Sequence, residues 1–430
     1  MPLKYSVASA IGKCALKDGN AIIVVCDGMA DRPTSRHGFK TPLEAAETPN
    51  LNRLARNGSV GLMDPIGPGI RPGSDVAHFA LLGYDPHVYY SGRGSLEAVG
   101  AGVQLNPEDV AFRANFATVD ETLTIIDRRA GRIRDGAEQL AEALEDIKLE
   151  NGRGIPVEFK HTVEHRGVLI FRGNEVSRMV SDTDPHATGV RILESRPLEE
   201  SPKARLTAQA LNEFTRKSFE LLKDHPVNLE RRKLGKMVAN IVICRGAGTL
   251  PKLKPLTETY GVKAACVAAV AMVRGICKIA GMRLIDVEGA TGGVNTNFKA
   301  KAEASLKALE VNDLVFLHIK APDVAGHDGN FNAKKSIIEK IDGMVGQILR
   351  KIDPAKSYLA VTSDHTTPIS VKDHTSDPVP LVIFGPDVAR CGVTKFCERN
   401  AAKGNIGRIK GINLIPILMD YLGKSVKFGV

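Results

Sequence analysis

The sequence predicts an α/β protein in which a wound, mostly parallel sheet forms the core and a smaller α+β domain is inserted into it. Three observations carry this expectation. Continuous apolar, β-branched runs at 21–26, 240–244, 313–319, 357–362 and 380–384 have the composition of strands buried on both faces of a parallel sheet. Segments with apolar residues near helical spacing lie between them, at 43–57, 74–82, 299–309 and 333–350. The middle of the chain alternates apolar and polar residues over 110–119, 123–127 and 156–172, as half-exposed antiparallel strands do.

Taken in order, residues 1–20 read as an N-terminal extension with no apolar core followed by a cleavage site. The first core strand, Ala21 to Cys26, is stopped by Asp27-Gly28. Core-type strands occur on both sides of the alternating segment, so the inserted domain is expected at 107–200, with the core made of 21–106 and 201–430. A helix at 205–223 and the Pro226 segment then lead back into the core. The insert is expected to act as a lid, hinged near 105–110 and 195–205.

The composition fits a two-domain globular enzyme: 430 residues, 43% hydrophobic and 25% charged. Even the apolar stretch 262–276 is broken by Lys263 and Arg274, short of the ~20 apolar residues of a membrane span. The net charge of +9 is spread among 49 acidic residues, and aromatic content is only 5%, which argues against nucleic acid and suits a small anionic substrate. The seven cysteines (14, 26, 244, 266, 277, 391 and 397) form no C-x-x-C pair and read as buried reduced thiols of a cytoplasmic protein. A homo-oligomer is compatible with all of this. The terminal Phe428-Gly429-Val430 matches no short C-terminal address.

The candidate chemistry sits at strand ends, where open parallel sheets bind ligands. Asp27 follows the first strand, although alone it reads as readily as a turn or cap residue. Asp323 and His327, four residues apart after the 313–319 run, can face one ion from a helical turn. Asp364-His365 directly follow the 357–362 run, and His374 comes nine residues after His365. Any one of these is equally a satisfied polar group; their coincidence is what points to metal. Three carboxylates with three imidazoles suit two divalent ions, and mixed oxygen and nitrogen donors favour manganese, zinc or cobalt over calcium. Such a pair of ions clamps the entering and leaving oxygens of a phosphoryl transfer. Ser74, in Arg71-Pro72-Gly73-Ser74-Asp75, is expected as the N-cap of a helix. There it is either a plain cap or an anion-facing nucleophile activated by a metal.

At these residues the chain resembles the alkaline phosphatase superfamily, and within it the archaeal type of cofactor-independent phosphoglycerate mutase. The resemblance is carried by Cys26-Asp27-Gly28, Pro72-Gly73-Ser74-Asp75, Pro322-Asp323 with Gly326-His327, Ser363-Asp364-His365, and the run from His374 through Pro378-Val379-Pro380. The segments Tyr90 to Ala98, Asn115 to Val119, Asp127 to Ile133 and Thr183-Asp184-Pro185-His186 extend it over nearly everything after residue 20. It implies an alkaline-phosphatase-like core with Asp323, His327 and His374 on one metal and Asp27, Ser74, Asp364 and His365 on another. Manganese is the foremost candidate, with zinc, cobalt or magnesium as alternatives and no 2,3-bisphosphoglycerate. Ser74 would take the phosphoryl group from 2- or 3-phosphoglycerate and return it to the other hydroxyl of the retained glycerate, a step of glycolysis and gluconeogenesis. Such a cycle needs anion-holding groups in the insert. Arg128, Arg129, Arg132, His161 and Arg166 are suited to it, with Asp127, Asp184 and His186 to orient hydroxyls or move protons. Each of these is also open to the reading of a solvated basic hairpin face.

Rival readings share parts of this pattern. A metal-dependent phosphatase uses the same serine and ions with water as acceptor, and a sugar-phosphate mutase changes only the substrate. A nucleotide-binding or dehydrogenase domain is disfavoured, because Asp27-Gly28 stands where a first-strand glycine fingerprint would begin and no G-x-x-x-x-G-K-[ST] occurs. A non-catalytic binding protein on this fold is the reading of a different class.

Overall fold

The computed structural model describes residues 19–145, 147–152 and 154–427. The expected N-terminal extension therefore lies outside the described residues except for 19 and 20, as do Cys14 and residues 428–430. The chain divides into two compact units. The first comprises residues up to Val88, Lys254–Ala269 and the chain from Ala280 on; the second comprises Tyr89–Leu253 and Val270–Ile279.

The first unit is built on an eight-stranded sheet. Its order is Gly407–Lys410, Ser59–Asp64, Val379–Phe384, Ser357–Thr362, Asn20–Cys26, Leu314–Ile319, Ala264–Val267, Arg283–Ile285. The central strand, Asn20–Cys26, pairs in parallel with Leu314–Ile319 on one side and Ser357–Thr362 on the other. In that register Val25 lies opposite both His318 and Thr362. The three strands therefore stop at one level, and the next residues of each, Asp27, Lys320 and Ser363-Asp364, emerge together at the carboxyl edge.

Val379–Phe384 departs from expectation, because it runs antiparallel to both of its neighbours. The chain leaves Thr362 at the carboxyl edge, makes the irregular segment 363–378, and re-enters at the same edge, which forces the return strand to run backwards. A continuous apolar run reports burial on two faces, not direction. The expected helix at 43–57 is two helices, Pro42–Ala45 and Pro49–Asn57, since the residue before Pro49 is kept out of helical conformation.

The second unit holds a sheet in the order Ile125–Asp127, Val110–Val119, Arg166–Phe171, Val157–Val163. The alternating segments thus form antiparallel strands as read from the sequence. Ile241–Gly248, expected in the core sheet, is a correction: it pairs antiparallel with Val110–Val119. Val242 and Cys244 enter one apolar cluster with Leu211 and Phe214, whereas Ile241 and Ile243 enter another with Ala117 and Ile125. Burial on both faces gave this strand the composition of a parallel core strand. The helix Pro202–Leu222, expected to lead back to the core, also belongs here.

The units consequently divide at Tyr89 and Leu253 rather than at 107 and 200, and both expected hinge regions fall inside the second unit. Helix Arg93–Gly100 explains the earlier boundary. It packs against Ala271–Ile279 so closely that a Cβ on Gly100 would lie 1.8 Å from Ala271 O, and one on Gly275 1.9 Å from Leu96 O. Only glycine allows those two backbones to touch.

Candidate active site and metal centre

All seven expected metal and nucleophile residues lie in the first unit. Asp27 directly follows the central strand and is 1% exposed. Its Oδ2 accepts from His318 Nε2 at 2.8 Å and its Oδ1 from Lys320 Nζ at 2.9 Å. Gly28, with φ +62°, turns the chain away so tightly that a Cβ there would lie 2.8 Å from Asp323 Cα. This glycine lets the loop after the first strand touch the helix Ala321–Asp328, which carries both Asp323 and His327. On that helix His327 Nε2 is 3.3 Å from Asp323 Oδ1, and His374 Nε2 approaches the same oxygen at 3.5 Å. The ring of His374 stacks on His365 at 3.6 Å, and its Nδ1 donates to Pro72 O at 2.9 Å.

Ser74 is the first residue of helix Ser74–Leu81, and Gly73, not Ser74, is its N-cap. This corrects the expected cap role and leaves the serine hydroxyl free for other work. Its Oγ lies 3.0 Å from His365 Nε2, and His365 Nε2 in turn lies 3.4 Å from Asp27 and 3.2 Å from Asp364. One turn on, His78 Nδ1 donates to Ser74 O at 2.6 Å. Asp364 accepts Gly28 N through Oδ1 at 3.1 Å.

The electrostatics follow from three buried carboxylates sharing one ammonium. Burial pushes the Asp27 carboxyl up, but Lys320 and the His318 hydrogen bond outweigh it and hold it below the usual carboxylate range. Lys320 and then the His327 and His374 hydrogen bonds likewise overcome burial to depress Asp323. Asp364 goes the other way: burial and then the Asp27 charge hold its carboxyl well above the usual range. Burial pushes the His365 imidazole well below its usual range, and burial followed by His318 pushes His78 down to about 3.

These residues suit a divalent cation. Asp364 Oδ2 is buried without a hydrogen-bond donor, as are His78 Nε2 and His318 Nδ1. One ligand atom each from Asp323, His365 and His374, and likewise from Asp27, Asp364 and His365, lie within 4.8 Å of one another. Oxygen and imidazole donors in that ratio match first-row divalent metals. His365 belongs to both groups, so it stands between the two expected ligand sets.

In the second unit, Arg128 makes a bidentate pair with Asp184, Nε to Oδ1 at 2.9 Å and Nη2 to Oδ2 at 2.7 Å. Arg245 Nη1 lies 3.3 Å from both Asp184 Oδ2 and His186 Nδ1. His186 Nε2 faces Asp182 at 3.3 Å, which fits a ring protonated on Nε2 with Nδ1 accepting from Arg245. Arg113 lies opposite Arg245 in the ladder. Its Nε is buried without a hydrogen-bond partner. Burial and then Arg93 push its guanidinium down to about 9, with Arg245 and Arg166 adding to the effect. His165 is lowered to about 4 by burial, with Arg166, Arg129 and Arg113 contributing. Arg128 and Arg245 thus flank Asp184, while Arg113 stands among Arg93, Arg245 and Arg166 with Glu97 3.9 Å from its Nε, and Arg129 and Arg166 lie near His165. Asp127 has a turn-building role, accepting Arg129 N and Gly131 N at 2.8 Å each. His161 donates to Glu164 O within its own hairpin. Arg132 sits in the turn Ala130–Arg132, where its backbone N donates to Arg129 O at 2.7 Å.

Comparison with known proteins converges on one family. The family profile described as 2,3-bisphosphoglycerate-independent phosphoglycerate mutase matches residues 55–228. The chain is 47% identical to the protein of that name from Methanopyrus kandleri, over 95% of this chain and 97% of that one. It is 48% identical to one from Archaeoglobus fulgidus, over 95% and 99%. The chain belongs to the 2,3-bisphosphoglycerate-independent phosphoglycerate mutases. It is an isomerase of that family. Its fold matches a solved Pyrococcus horikoshii protein with TM-score 0.83 and 38% identity, covering 96% of this chain and 99% of that one. It also matches the cofactor-independent phosphoglycerate mutase of Thermoplasma acidophilum with TM-score 0.68 and 37% identity, covering 94% and 100%.

The residues that sequence reasoning missed share a signal it had in hand. Lys320 directly follows a core strand, the same rule that singled out Asp27. His318 interrupts an apolar run, and His78 lies one helical turn from Ser74. Arg113 and Arg245 gained meaning only when the second sheet put them side by side.

Proposed function

We propose that this chain interconverts 2-phosphoglycerate and 3-phosphoglycerate through a phosphoserine at Ser74, with two divalent ions and no bisphosphoglycerate. The observation that carries the reading is the Ser74 hydroxyl held against His365 amid three converging buried carboxylates. Asp323, His327 and His374 would hold one ion, and Asp27, Ser74, Asp364 and His365 the other, with manganese the foremost candidate. Bound there, the ions would lower the pKa of the Ser74 hydroxyl and offset the charge of the phosphoryl oxygens.

The chain's own groups then account for the remaining requirements. His78 anchors the backbone of the first turn by donating to Ser74 O, and the Ser74 hydroxyl itself is held against His365 Nε2. Ser74 Oγ forms a bond to phosphorus as the phosphorus–oxygen bond to glycerate breaks. The helix N-terminus on which Ser74 sits favours the phosphate it then carries. The other hydroxyl of the glycerate then takes the phosphoryl group back, and the arginines of the second unit, Arg128 oriented by Asp184 among them, are suited to a carboxylate. Asp127, Arg132 and His161 support these arginines through the turn and hairpin that carry Arg129 and Arg166. Five of the six cysteines among the described residues are buried, in keeping with thiols of a reducing cytoplasm.

The deciding assay uses purified, manganese-loaded protein with 3-phosphoglycerate, no added bisphosphoglycerate, and free phosphate followed in the same sample. Formation of 2-phosphoglycerate with little phosphate is expected. Phosphate release without isomerisation would make the chain a phosphatase.

A further inference from the structure

Lys334 lies on helix Phe331–Leu349, away from the groups named so far, and its side chain is fully buried. Each of its three ammonium protons has one acceptor: Ala30 O at 3.1 Å, Asp31 Oδ2 at 2.7 Å and Thr367 O at 2.8 Å. Ala30 and Asp31 belong to the loop that leaves the central strand at Asp27. Thr367 belongs to the loop carrying Asp364 and His365. Asp31 closes the same link from its own side, since its carboxylate accepts Ile369 N at 3.2 Å and Arg32 N at 2.8 Å.

The link continues into the ligand residues. Thr367 Oγ1 donates to Asp323 Oδ1 at 2.9 Å and lies 3.0 Å from His365 Nδ1. A Cβ on Gly326 would lie 2.6 Å from Thr367 O, so the helix bearing Asp323 and His327 rests on the same carbonyl that Lys334 grips. A buried ion pair is a poor source of stability compared with apolar residues of equal volume. What it supplies here is direction, because a tetrahedral ammonium fixes two loop carbonyls and a carboxylate relative to one another. A methionine of similar size would fill the space and fix none of them.

We propose that Lys334, paired with Asp31, is a positioning residue of the metal centre, clamping the loop after Asp27 to the loop after His365 so that their ligand atoms converge. This inference rests on the reading that Asp27, Asp364 and His365 hold an ion.

The test is a Mn2+ titration of the full chain followed by electron paramagnetic resonance, with thermal unfolding recorded alongside in excess chelator. Lys334→Met strands the Asp31 charge and is the harsher variant. Asp31→Asn with Lys334→Met keeps an acceptor for Ile369 N, buries no charge, and decides the matter if the single variant fails to fold. The double variant is expected to unfold cooperatively yet to bind Mn2+ about 10- to 100-fold more weakly at one site, as loss of an outer-shell orienting group does. Its turnover should be recovered by raising Mn2+, with the KM for phosphoglycerate unchanged. Wild-type Mn2+ affinity at both sites in that variant would overturn the inference and leave the pair a packing feature. Wild-type protein that binds no Mn2+ would overturn the metal reading itself.

Discussion

Lys320 gives the sharpest test of how charge is organised at the centre. Its Nζ lies 2.9 Å from Asp27 Oδ1 and 2.5 Å from Asp323 Oδ2. Lys320→Met keeps most of the apolar stem and removes the one ammonium between these carboxylates. A hydrogen bond to a charged group contributes roughly 1.5–3 kcal/mol, and removing one member of a buried charge group costs about 3–5 kcal/mol. In excess chelator the variant should therefore lose about 3–5 kcal/mol, on the order of 10 °C in the unfolding midpoint of the first unit. A bound divalent ion offsets the same carboxylates. At about 1,000 times its dissociation constant it stabilises the fold by about 4 kcal/mol, and it should bind the variant more tightly because no ammonium competes for the oxygens. Differential scanning calorimetry of both proteins, in chelator and in saturating Mn2+, measures the gap twice. The gap should close by more than half with Mn2+. An equal gap in both conditions would refute the view that ammonium and metal compete for the same oxygens.

Ser74→Ala should lower turnover at least about 10⁴-fold, as loss of a covalent nucleophile does, and abolish acid-stable phosphoprotein while Mn2+ still binds the Asp323, His327 and His374 set. Turnover near the wild-type rate would remove the nucleophile assignment. The raised pKa of Asp364 means that a proton must leave before the carboxylate can ligate, so Mn2+ affinity should fall as pH is lowered through that raised value. In the metal-free fold the sign is opposite. The contribution of Asp364 to stability is present below its unfolded pKa and is lost as pH rises through the folded one. Calorimetric Mn2+ titrations in buffers of different ionisation enthalpy should show net proton release; none would contradict the shift. Arg113→Met removes a guanidinium crowded by Arg93, Arg245 and Arg166, and its neighbour Glu97, 3.9 Å from Arg113 Nε, keeps its ion pair with Arg93 at 3.1 Å. The variant should leave the unliganded protein as stable or more so, while raising the KM for phosphoglycerate by about 10-fold or more. A lower unfolding midpoint with unchanged KM would give Arg113 a structural role instead.

The candidate metal centre was legible in the sequence for a physical reason. Strands buried on both faces must be continuously apolar, so they announce themselves, and a parallel sheet delivers whatever follows each strand to one edge. Asp27, Asp364 and His365 were found by that logic, and the i, i+4 spacing of Asp323 and His327 by helix geometry. The same composition misled where direction or partner mattered. Ile241–Gly248 and Val379–Phe384 are as apolar as the central strand, yet one pairs in the second sheet and both run antiparallel. Burial leaves its mark on composition, whereas strand direction is decided by where the chain re-enters.

Tertiary structure alone decided the groups whose meaning lies in their neighbours. Arg113 and Arg245 are 132 positions apart and become neighbours only through the ladder that places them side by side. Lys334 reads as one more polar residue on an amphipathic helix until Ala30, Asp31 and Thr367 are seen to converge on it. The sequence by itself determined which residues can ionise, ligate or cap, because those are properties of single side chains and their local spacing. It left to the fold which of them share a dielectric and a charge. Those couplings act across a few ångströms of space, whatever the separation along the chain.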